Sequence, residues 1–552
     1  MKNISPVVVV GLVLTLVCLS LFVSGPGFIQ AVSNYAYDAF IQRVHQEAQS
    51  EHVVIVDLDD ASLQKYGQWP WPRYRVARLT ENILSAGAAV VAFDIVFPER
   101  DRTSPLVVEQ DLNTNFNLNV RIEGLPDSLL DFDRMFAEAL RKGKTILGCF
   151  MVPSDKPVDE RDPGIDPAFK PHINAVAVGG AADIRKVMMQ AGGLTVSIPV
   201  LNTASRSAFF NAVADSDSIV RSNPLIWGYG DRIYPSLALE AVMLFRGDPK
   251  CMVRFRDQGI EDVRIKELLI PTDRAGRMVV NYRKIREETA GGFASSFPAY
   301  SAADVLEKRL PPKVLDGKIV FVGTSAVGLK DIKASPLTQF FSGVEVHATI
   351  ADNILAGDML SSPSWMVGVH SIAILLMGVF LTIFINRGKS WLSFLVSVAM
   401  ILVSIKGSLV LLEKFHLVCV PAWVILSVVI IYPVLTMIKF WQEELQKKRV
   451  RDMFGTMVSP TVLHYLENHP GSFSLSGQKR EATMFFSDVA GFTTISETLQ
   501  PEQLSHLLNS YLSPMTSIIM ERGGYVDKYA GDGIMAEWGV PFATDDHAVQ
   551  GC

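Results

Sequence analysis

The chain has 552 residues, 49% of them hydrophobic and 20% charged, with a formal net charge of -6. That length predicts several domains, and a mean hydropathy of +0.25 predicts membrane segments. The mildly acidic balance gives no argument for a nucleic-acid partner, and the five cysteines show no metal-ligand spacing.

Lys2 precedes an apolar run that begins at Pro6 and reaches Val23. Such a run is a signal anchor or a cleavable signal peptide. Val23-Ser24-Gly25 fits the small-x-small cleavage pattern poorly, so a transmembrane anchor is expected over residues 1–27, with the following segment exported.

From Glu51 the composition turns globular. Val53-Val54-Ile55-Val56 reads as a buried strand running into Asp57, Asp59 and Asp60. Leu79 to Ala86 reads as a helix, and Ala89-Val90-Val91-Ala92-Phe93 as a second buried strand ending at Asp94. Unbroken apolar strands separated by a helix predict a parallel α/β unit. Ile319-Val320-Phe321-Val322 is a third such strand, running into Gly323-Thr324-Ser325. Open α/β sheets bind ligands beyond the carboxyl ends of their strands. Asp57, Asp59, Asp94 and the Gly323 turn therefore form a candidate crevice, although the same aspartates suit helix and turn caps. Trp69, Trp71 and Arg73 read as a proline-stiffened turn packing a core edge. Cys149 and Cys251 are the pair that could bridge in an exported domain.

VDLDDASLQKYGQWPWPR, AFDIVFPE, GKIVFVGTSAVGLKDIKASPL and GVEVHATIADNIL resemble the CHASE2 domain, an extracytoplasmic sensor module of bacterial signalling receptors. The resemblance covers residues 28–360 and is weaker around 105–171. It implies the sensing of an unidentified extracytoplasmic ligand or partner.

Trp365 to Ile385, Trp391 to Leu412 and Leu417 to Ile438 are each long and apolar enough to span a bilayer, giving three transmembrane helices over residues 361–440. Arg387 and Lys389 lie between the first two, and Lys439, Lys447, Lys448, Arg449 and Arg451 follow the last. Excess Lys and Arg mark the cytoplasmic side, so the anchor, sensor and spans alternate consistently. Lys406, inside a span, is expected to snorkel or face a neighbouring helix. Residues 441–478 read as a coupling helix and linker. Leu445, Val450, Met453, Phe454 and Met457 suit either a short parallel coiled coil or a solvated juxtamembrane helix.

Further on, Thr483-Met484-Phe485-Phe486-Ser487 leads into Asp488 and Gly491. Gly531-Asp532-Gly533 separates Tyr525-Val526 from Ile534-Met535-Ala536, a hairpin with turn residues that tolerate positive φ. Pro501 to Tyr511 and Met515 to Arg522 carry apolar residues at helical spacing. Strand, helices and hairpin in that order would bring Asp488 and Asp532 to one end of one sheet. A carboxylate pair beside open backbone N–H groups suits Mg2+ and a triphosphate; either aspartate alone also suits a turn.

FFSDVAGFT followed by VDKYAGDGIMA resembles the start of the class III nucleotidyl cyclase domain, the adenylate and guanylate cyclase family, here over residues 479–552. The resemblance implies two Mg2+ (or Mn2+) per active site on Asp488 and Asp532, assisted by the Val489 carbonyl. It implies that the backbone of Ala490, Gly491, Phe492 and Thr493 faces the nucleotide phosphates. Lys528 falls where adenylate-type members read the base, whereas guanylate-type members usually hold Glu. A lysine only donates, which suits an adenine acceptor; by itself Lys528 also reads as a solvated strand residue. The transition-state Asn and Arg of the family are assigned beyond Cys552, so these 552 residues alone are expected to be catalytically silent. Active sites shared between two cyclase domains imply a homodimer.

The expected architecture is a multidomain membrane protein with an α/β extracytoplasmic sensor, transmembrane helices and part of an α+β ferredoxin-like cyclase domain. The expected activity is that of a receptor adenylate cyclase in a bacterial inner membrane, its cyclase domain cytoplasmic, converting ATP to 3′,5′-cyclic AMP and pyrophosphate. The alternatives are a guanylate cyclase of the same fold and a non-catalytic receptor with a degenerate cyclase domain. A sensor kinase is disfavoured by the cytoplasmic motif.

Overall fold

The computed structural model describes residues 5–25, 27–44, 47, 51–154, 173–178, 183–248, 250–257, 259–288, 294–326, 332–363, 365–455, 479–540 and 543–552. They divide into two units, Val9–Tyr432 on one side and Met1–Val8 with Pro433–Cys552 on the other.

In the first unit the three apolar runs are the strands Val53–Asp57, Val90–Phe93 and Ile319–Gly323. They are parallel, with Ile319–Gly323 in the middle: Ile55 pairs with Phe321, and Phe321 with Ala92. Ala299–Ser301 extends the sheet at one edge and Thr145–Ser154 at the other, both parallel to their neighbours. Beyond Thr145–Ser154 the sheet becomes mixed and reaches nine strands among the described residues. Successive strand residues face opposite layers. Val54, Val56, Val91, Phe93, Val320 and Val322 pack in a core with helices Arg73–Ser85 and Phe132–Leu140. Val53, Ile55, Val90, Ala92, Ile319 and Phe321 pack in the opposite core with helices Leu237–Phe245 and Gly343–Ala356. Both faces are covered, which is why these strands read as unbroken apolar runs.

The helix expected from Leu79 begins earlier, at Arg73, directly after Pro72 as its N-cap residue. Trp71 is buried and its Nε1 donates to the Gly67 carbonyl at 2.8 Å. The Arg73 guanidinium lies 4.6 Å from the Phe97 ring centroid and 3.6 Å from Asp133. This turn is a packed corner of the core. A second sheet holds Ile173–Ala177, Cys251–Arg256, Gly259–Ile265 and Leu268–Pro271. Cys149 and Cys251 lie in different sheets as buried free thiols, so the bridge considered for them is not made. Burial pushes both thiols up, Cys251 to about 12.

Gly27–Val44 is a separate helix that hydropathy alone does not distinguish from its surroundings. Arg221 holds it with a bidentate pair to Asp38, at 2.7 and 2.6 Å, and also reaches Asp215 at 3.0 Å.

Among the described residues, four helices are long and apolar enough to cross a membrane: Pro6–Ser24, Met366–Arg387, Ser390–Phe415 and the Ala422–Arg451 part of Ala422–Gly455. The last starts later than Leu417. Leu417 bridges to Ser361, and the Val418 N–H donates to the Ser361 carbonyl at 2.9 Å. Pro421 explains the delay, because a proline disfavours helical geometry in the residue before it. Lys406 is exposed on Ser390–Phe415 rather than turned against a neighbouring helix.

In the second unit, Leu445 and Val450 of the proposed coiled coil are exposed on the helix. The side chains of Met453 and Phe454, and all of Met457 and His469-Pro470-Gly471, lie outside the described residues. From Lys479 a three-stranded antiparallel sheet forms in the order Thr483–Ser487, Gly533–Trp538, Tyr525–Ala530. The two expected helical stretches are one helix, Pro501–Glu521, that continues through Pro514. Its Leu512, Met515 and Ile519 pack with Val526, Ile534, Ala536 and Trp538 on one face of the sheet.

Candidate active site

Ser487 is the last residue of its strand and pairs with Ile534. Ala530 pairs with Gly533 across the hairpin, leaving Gly531 and Asp532 as the turn. Gly531 has φ +68°, a conformation a side chain at that position would strain. Asp488 and Asp532 therefore both stand at the same end of the sheet. The Val489 N–H donates to an Asp532 carboxylate oxygen at 3.2 Å, tying the hairpin turn to the segment that carries Asp488. A Cβ on Gly533 would stand 2.8 Å from the Ser487 carbonyl and 3.5 Å from Asp488 Oδ1. Glycine at 533 keeps that cradle open.

Gly491, at φ +73°, turns the chain into the short helix Phe492–Thr498. The Phe492 N–H donates back to the Val489 carbonyl at 3.1 Å, leaving that oxygen a second lone pair. Tyr511 Oη lies 3.0 Å from Ser487 Oγ and fixes the long helix to the same sheet end.

Lys528 sits elsewhere, along the strand. The ladder pairs Val526 with Ala536 but Lys528 with Met535, so Asp527 is an inserted, unpaired residue. Regular alternation would put Lys528 on the same face as Val526, against the helix. The bulge turns it to the opposite face instead, as bulges near functional sites often do. Tyr529 confirms the phase, since its Oη meets Thr516 of the helix at 2.8 Å. Lys528 Nζ lies 3.2 Å from Asp527 and the side chain is 64% exposed. Glu537 shares the open face. Burial, and then the Asp527 charge, push its carboxyl up, and Lys528 opposes that shift. Met484 and Phe486, on the strand Thr483–Ser487, stand exposed on the same face of the sheet. The bulge was not readable from the sequence, where Val526-Asp527-Lys528 looks like ordinary strand.

The other candidate, at the carboxyl edge of the parallel sheet, is filled by protein. Asp57 accepts from the Ser325 N–H at 2.8 Å and from its hydroxyl. Burial still pushes the Asp57 carboxyl up to about 6. Asp59 caps helix Asp60–Tyr66 through the Ser62 N–H at 2.9 Å and accepts from Ser301 Oγ at 2.9 Å. Asp94 lies 3.9 Å from His347 Nε2. A Cβ on Gly323 would stand 2.5 Å from the Val344 Cβ, so helix Gly343–Ala356 closes the edge. Asp57 and Asp59 hold a loop and a helix cap.

The profile of the CHASE2 domain matches residues 11–385. The profile of the adenylate and guanylate cyclase catalytic domain matches residues 475–552. The chain is 46% identical over 87 residues to an adenylate cyclase of Anabaena cylindrica, covering 16% of this chain and 16% of that protein. It is 32% identical over 74 residues to adenylate cyclase 1 of Rhizobium meliloti, covering 13% of this chain and 11% of that protein. The chain thus spans only 16% and 11% of the length of these curated relatives. A crystal structure of the guanylyl cyclase Cya2 aligns with 13% of this chain and 38% of its own, at 39% identity and a TM-score of 0.13.

Proposed function

The chain belongs to the CHASE2 domain family, and from that premise we propose a membrane receptor in which an exported CHASE2 domain regulates a cytoplasmic adenylate cyclase domain. The reaction is ATP to 3′,5′-cyclic AMP and pyrophosphate. The observation that carries this reading is the pairing of Asp488 and Asp532 at one sheet end, joined through the Val489 N–H. The similarity to curated adenylate cyclases favours ATP as the substrate.

The ribose 3′-hydroxyl gives up its proton to solvent as its oxygen attacks the α-phosphorus; the bond from the α-phosphorus to the α–β bridging oxygen breaks, and pyrophosphate leaves with that electron pair. Asp488 and Asp532, with the Val489 carbonyl, would hold two Mg2+ or Mn2+; hard oxygen donors beside an open glycine cradle fit such ions. When bound, these ions neutralise phosphate charge and act as Lewis acids. The chain's own residues orient the nucleotide. The backbone of Ala490 to Thr493, turned by Gly491, faces the phosphates, and Lys528 donates to an adenine ring nitrogen. Preorganised contacts of this kind lower the barrier by positioning and charge stabilisation. A second copy of the chain completes the site as a homodimer.

The Lys and Arg distribution supports an orientation with the sensor outside and residues from Lys439 inside, in what we take to be a bacterial inner membrane. Reporter fusions at Gly259 and Arg480 are expected to report opposite sides. The enzymatic reading is tested in membranes containing the receptor with its cyclase domain extended through the expected transition-state Asn and Arg, supplied with ATP or GTP and Mg2+ or Mn2+. Cyclic AMP should form, and predominantly cyclic GMP would reassign the substrate. Nucleotide binding without turnover would support a non-catalytic receptor instead.

A further inference from the structure

A cleft of about 1180 Å3 opens within the Val9–Tyr432 unit, where the sensor strands meet the membrane helices. Its floor is apolar and comes from helix ends that share one side of the membrane. Phe22 lies in the last turn of Pro6–Ser24, Val367 in the first turn of Met366–Arg387, and Trp423 in the first turn of Ala422–Gly455. Phe22 and Trp423 meet edge to face with ring centroids 5.5 Å apart. Aromatic residues at this level mark the membrane–water boundary.

The opposite wall is charged. Arg254, Arg256, Arg274 and Arg277 line it. Its carboxylates are each held by arginine: Asp262 by Arg254 and Arg264, Glu261 by Arg256, and Asp273 by Arg277. The wall thus has more guanidinium groups than carboxylates. Arg274 is exposed and makes no ion pair among the described residues. Asp215, a carboxylate on another side of the cleft, is held by Arg221 at 3.0 Å.

Two hydroxyls are left over. Tyr37, on helix Gly27–Val44, lines the cleft at 6% exposure, and its Oη has no hydrogen-bond partner among the described residues. Thr272 Oγ1, also in the lining, is buried and unpartnered in the same way. Both oxygens are covered by protein, so the cleft as it stands offers a headgroup the guanidinium groups of its wall rather than these hydroxyls.

We propose that this cleft binds an amphiphile with an anionic headgroup, its apolar tail on Phe22 and Trp423 and its headgroup against Arg256 and Arg274. Such a ligand touches the sensor sheet, helix Gly27–Val44 and the ends of three membrane helices at once. Arg221 already ties Gly27–Val44 to the sensor through Asp38. Occupancy of the cleft therefore bears on the elements that join sensor to membrane. The proposal rests on the membrane topology above and is independent of the cyclase assignment.

The test uses the protein in nanodiscs of neutral phosphatidylcholine. One arm adds phosphatidylglycerol to the bilayer; the other adds dodecyl phosphate below its micellar concentration to neutral discs. Binding is read by native mass spectrometry and by the shift in unfolding midpoint. Arg256→Gln/Arg274→Gln should weaken binding about tenfold, the loss expected for charged hydrogen bonds. Arg387→Gln/Lys389→Gln, at the other membrane face, should leave it unchanged. A response confined to phosphatidylglycerol identifies a membrane lipid as the source, and one confined to dodecyl phosphate an exported amphiphile; both support the site. Absence of binding in both arms, or equal loss in both double variants, overturns it. Reporter fusions separate a failure of the site from a failure of the topology.

Discussion

Gly11 of Pro6–Ser24 lies against Thr382 of Met366–Arg387, so close that a Cβ on Gly11 would stand 2.3 Å from the Thr382 Cγ2. The arrangement repeats in reverse one turn along: a Cβ on Gly378 would stand 2.5 Å from Thr15 Oγ1. Each threonine hydroxyl is held by its own helix, Thr15 by the Gly11 carbonyl at 2.8 Å and Thr382 by the Gly378 carbonyl at 2.7 Å. Small residues that let backbones approach are the usual basis of helix association in lipid, where no hydrophobic force separates helix from solvent.

The crossing predicts a reciprocal mutational pattern. Gly11→Ala and Gly378→Ala should each destabilise the protein by about 1–3 kcal/mol, the usual cost of overpacking. Thr382→Ala should partly rescue Gly11→Ala, since the Cβ at that position would still lie 2.9 Å away, and leave the Gly378→Ala loss in place, because that loss arises at Thr15. Unfolding midpoints in detergent give the double-mutant cycle. Additive losses would mean the two helices do not touch here.

Asp532→Asn keeps an oxygen to accept the Val489 N–H but removes the charge. The hairpin should therefore fold normally while nucleotide-dependent Mn2+ binding, followed by electron paramagnetic resonance, is lost. Asp488→Asn should behave in the same way. In the receptor whose cyclase domain is extended through the transition-state Asn and Arg, each should lower cyclic nucleotide formation by about 100-fold or more, the scale seen when a group that stabilises transition-state charge is removed. Turnover near that of the parent would refute the carboxylate assignment.

Lys528→Glu places another carboxylate beside Asp527 and Glu537 on the open sheet face. A carboxylate cannot donate to an adenine acceptor. ATP use should fall about tenfold, the equivalent of one unmade buried hydrogen bond, with a relative gain for GTP. An unchanged ATP-to-GTP ratio would make Lys528 a solvated strand residue.

The buried carboxyls of the sensor predict a pH dependence of stability. Burial pushes Glu345 up to about 8, partly offset by hydrogen bonds from Ser295 and the Ser296 N–H and reinforced by the nearby charge of Asp57. Asp57 itself is pushed up to about 6, chiefly by burial. Both folded values lie above the ordinary ones, so the folded state binds protons more tightly than the unfolded. The stabilisation is complete below about pH 4 and is lost as pH rises towards 6 for Asp57 and 8 for Glu345, at up to about 1.4 kcal/mol per pH unit and group. Glu345→Gln should flatten the fall in unfolding midpoint between pH 5 and 8 relative to the parent protein. An identical pH profile in the variant would contradict this origin.

Much of the architecture was legible in the sequence because its signals are local. Val53–Asp57, Val90–Phe93 and Ile319–Gly323 read as strands since burial on both faces demands continuous apolar residues. The membrane helices read from length and hydropathy, and the later start at Ala422 follows from Pro421, which hydropathy does not register. The turn at Gly531-Asp532 read from its glycine, which is why Asp532 could be set at a sheet end before any pairing was known.

What pairing partners decide is not carried by any local signal. The inserted Asp527 is defined only by the strand opposite, and that insertion alone aims Lys528 away from the helix. Asp38 and Arg221 are 183 residues apart, and nothing near either identifies the other. The same holds for Gly11 with Thr382, and for the cleft assembled from Phe22, Tyr37, Arg274 and Trp423. Periodicity, turn chemistry and hydropathy are properties of neighbours in the chain, so the sequence by itself determined which elements form and in what order. Register, helix crossing and cavity shape depend on which distant surfaces exclude water from one another, and only the tertiary structure decided them.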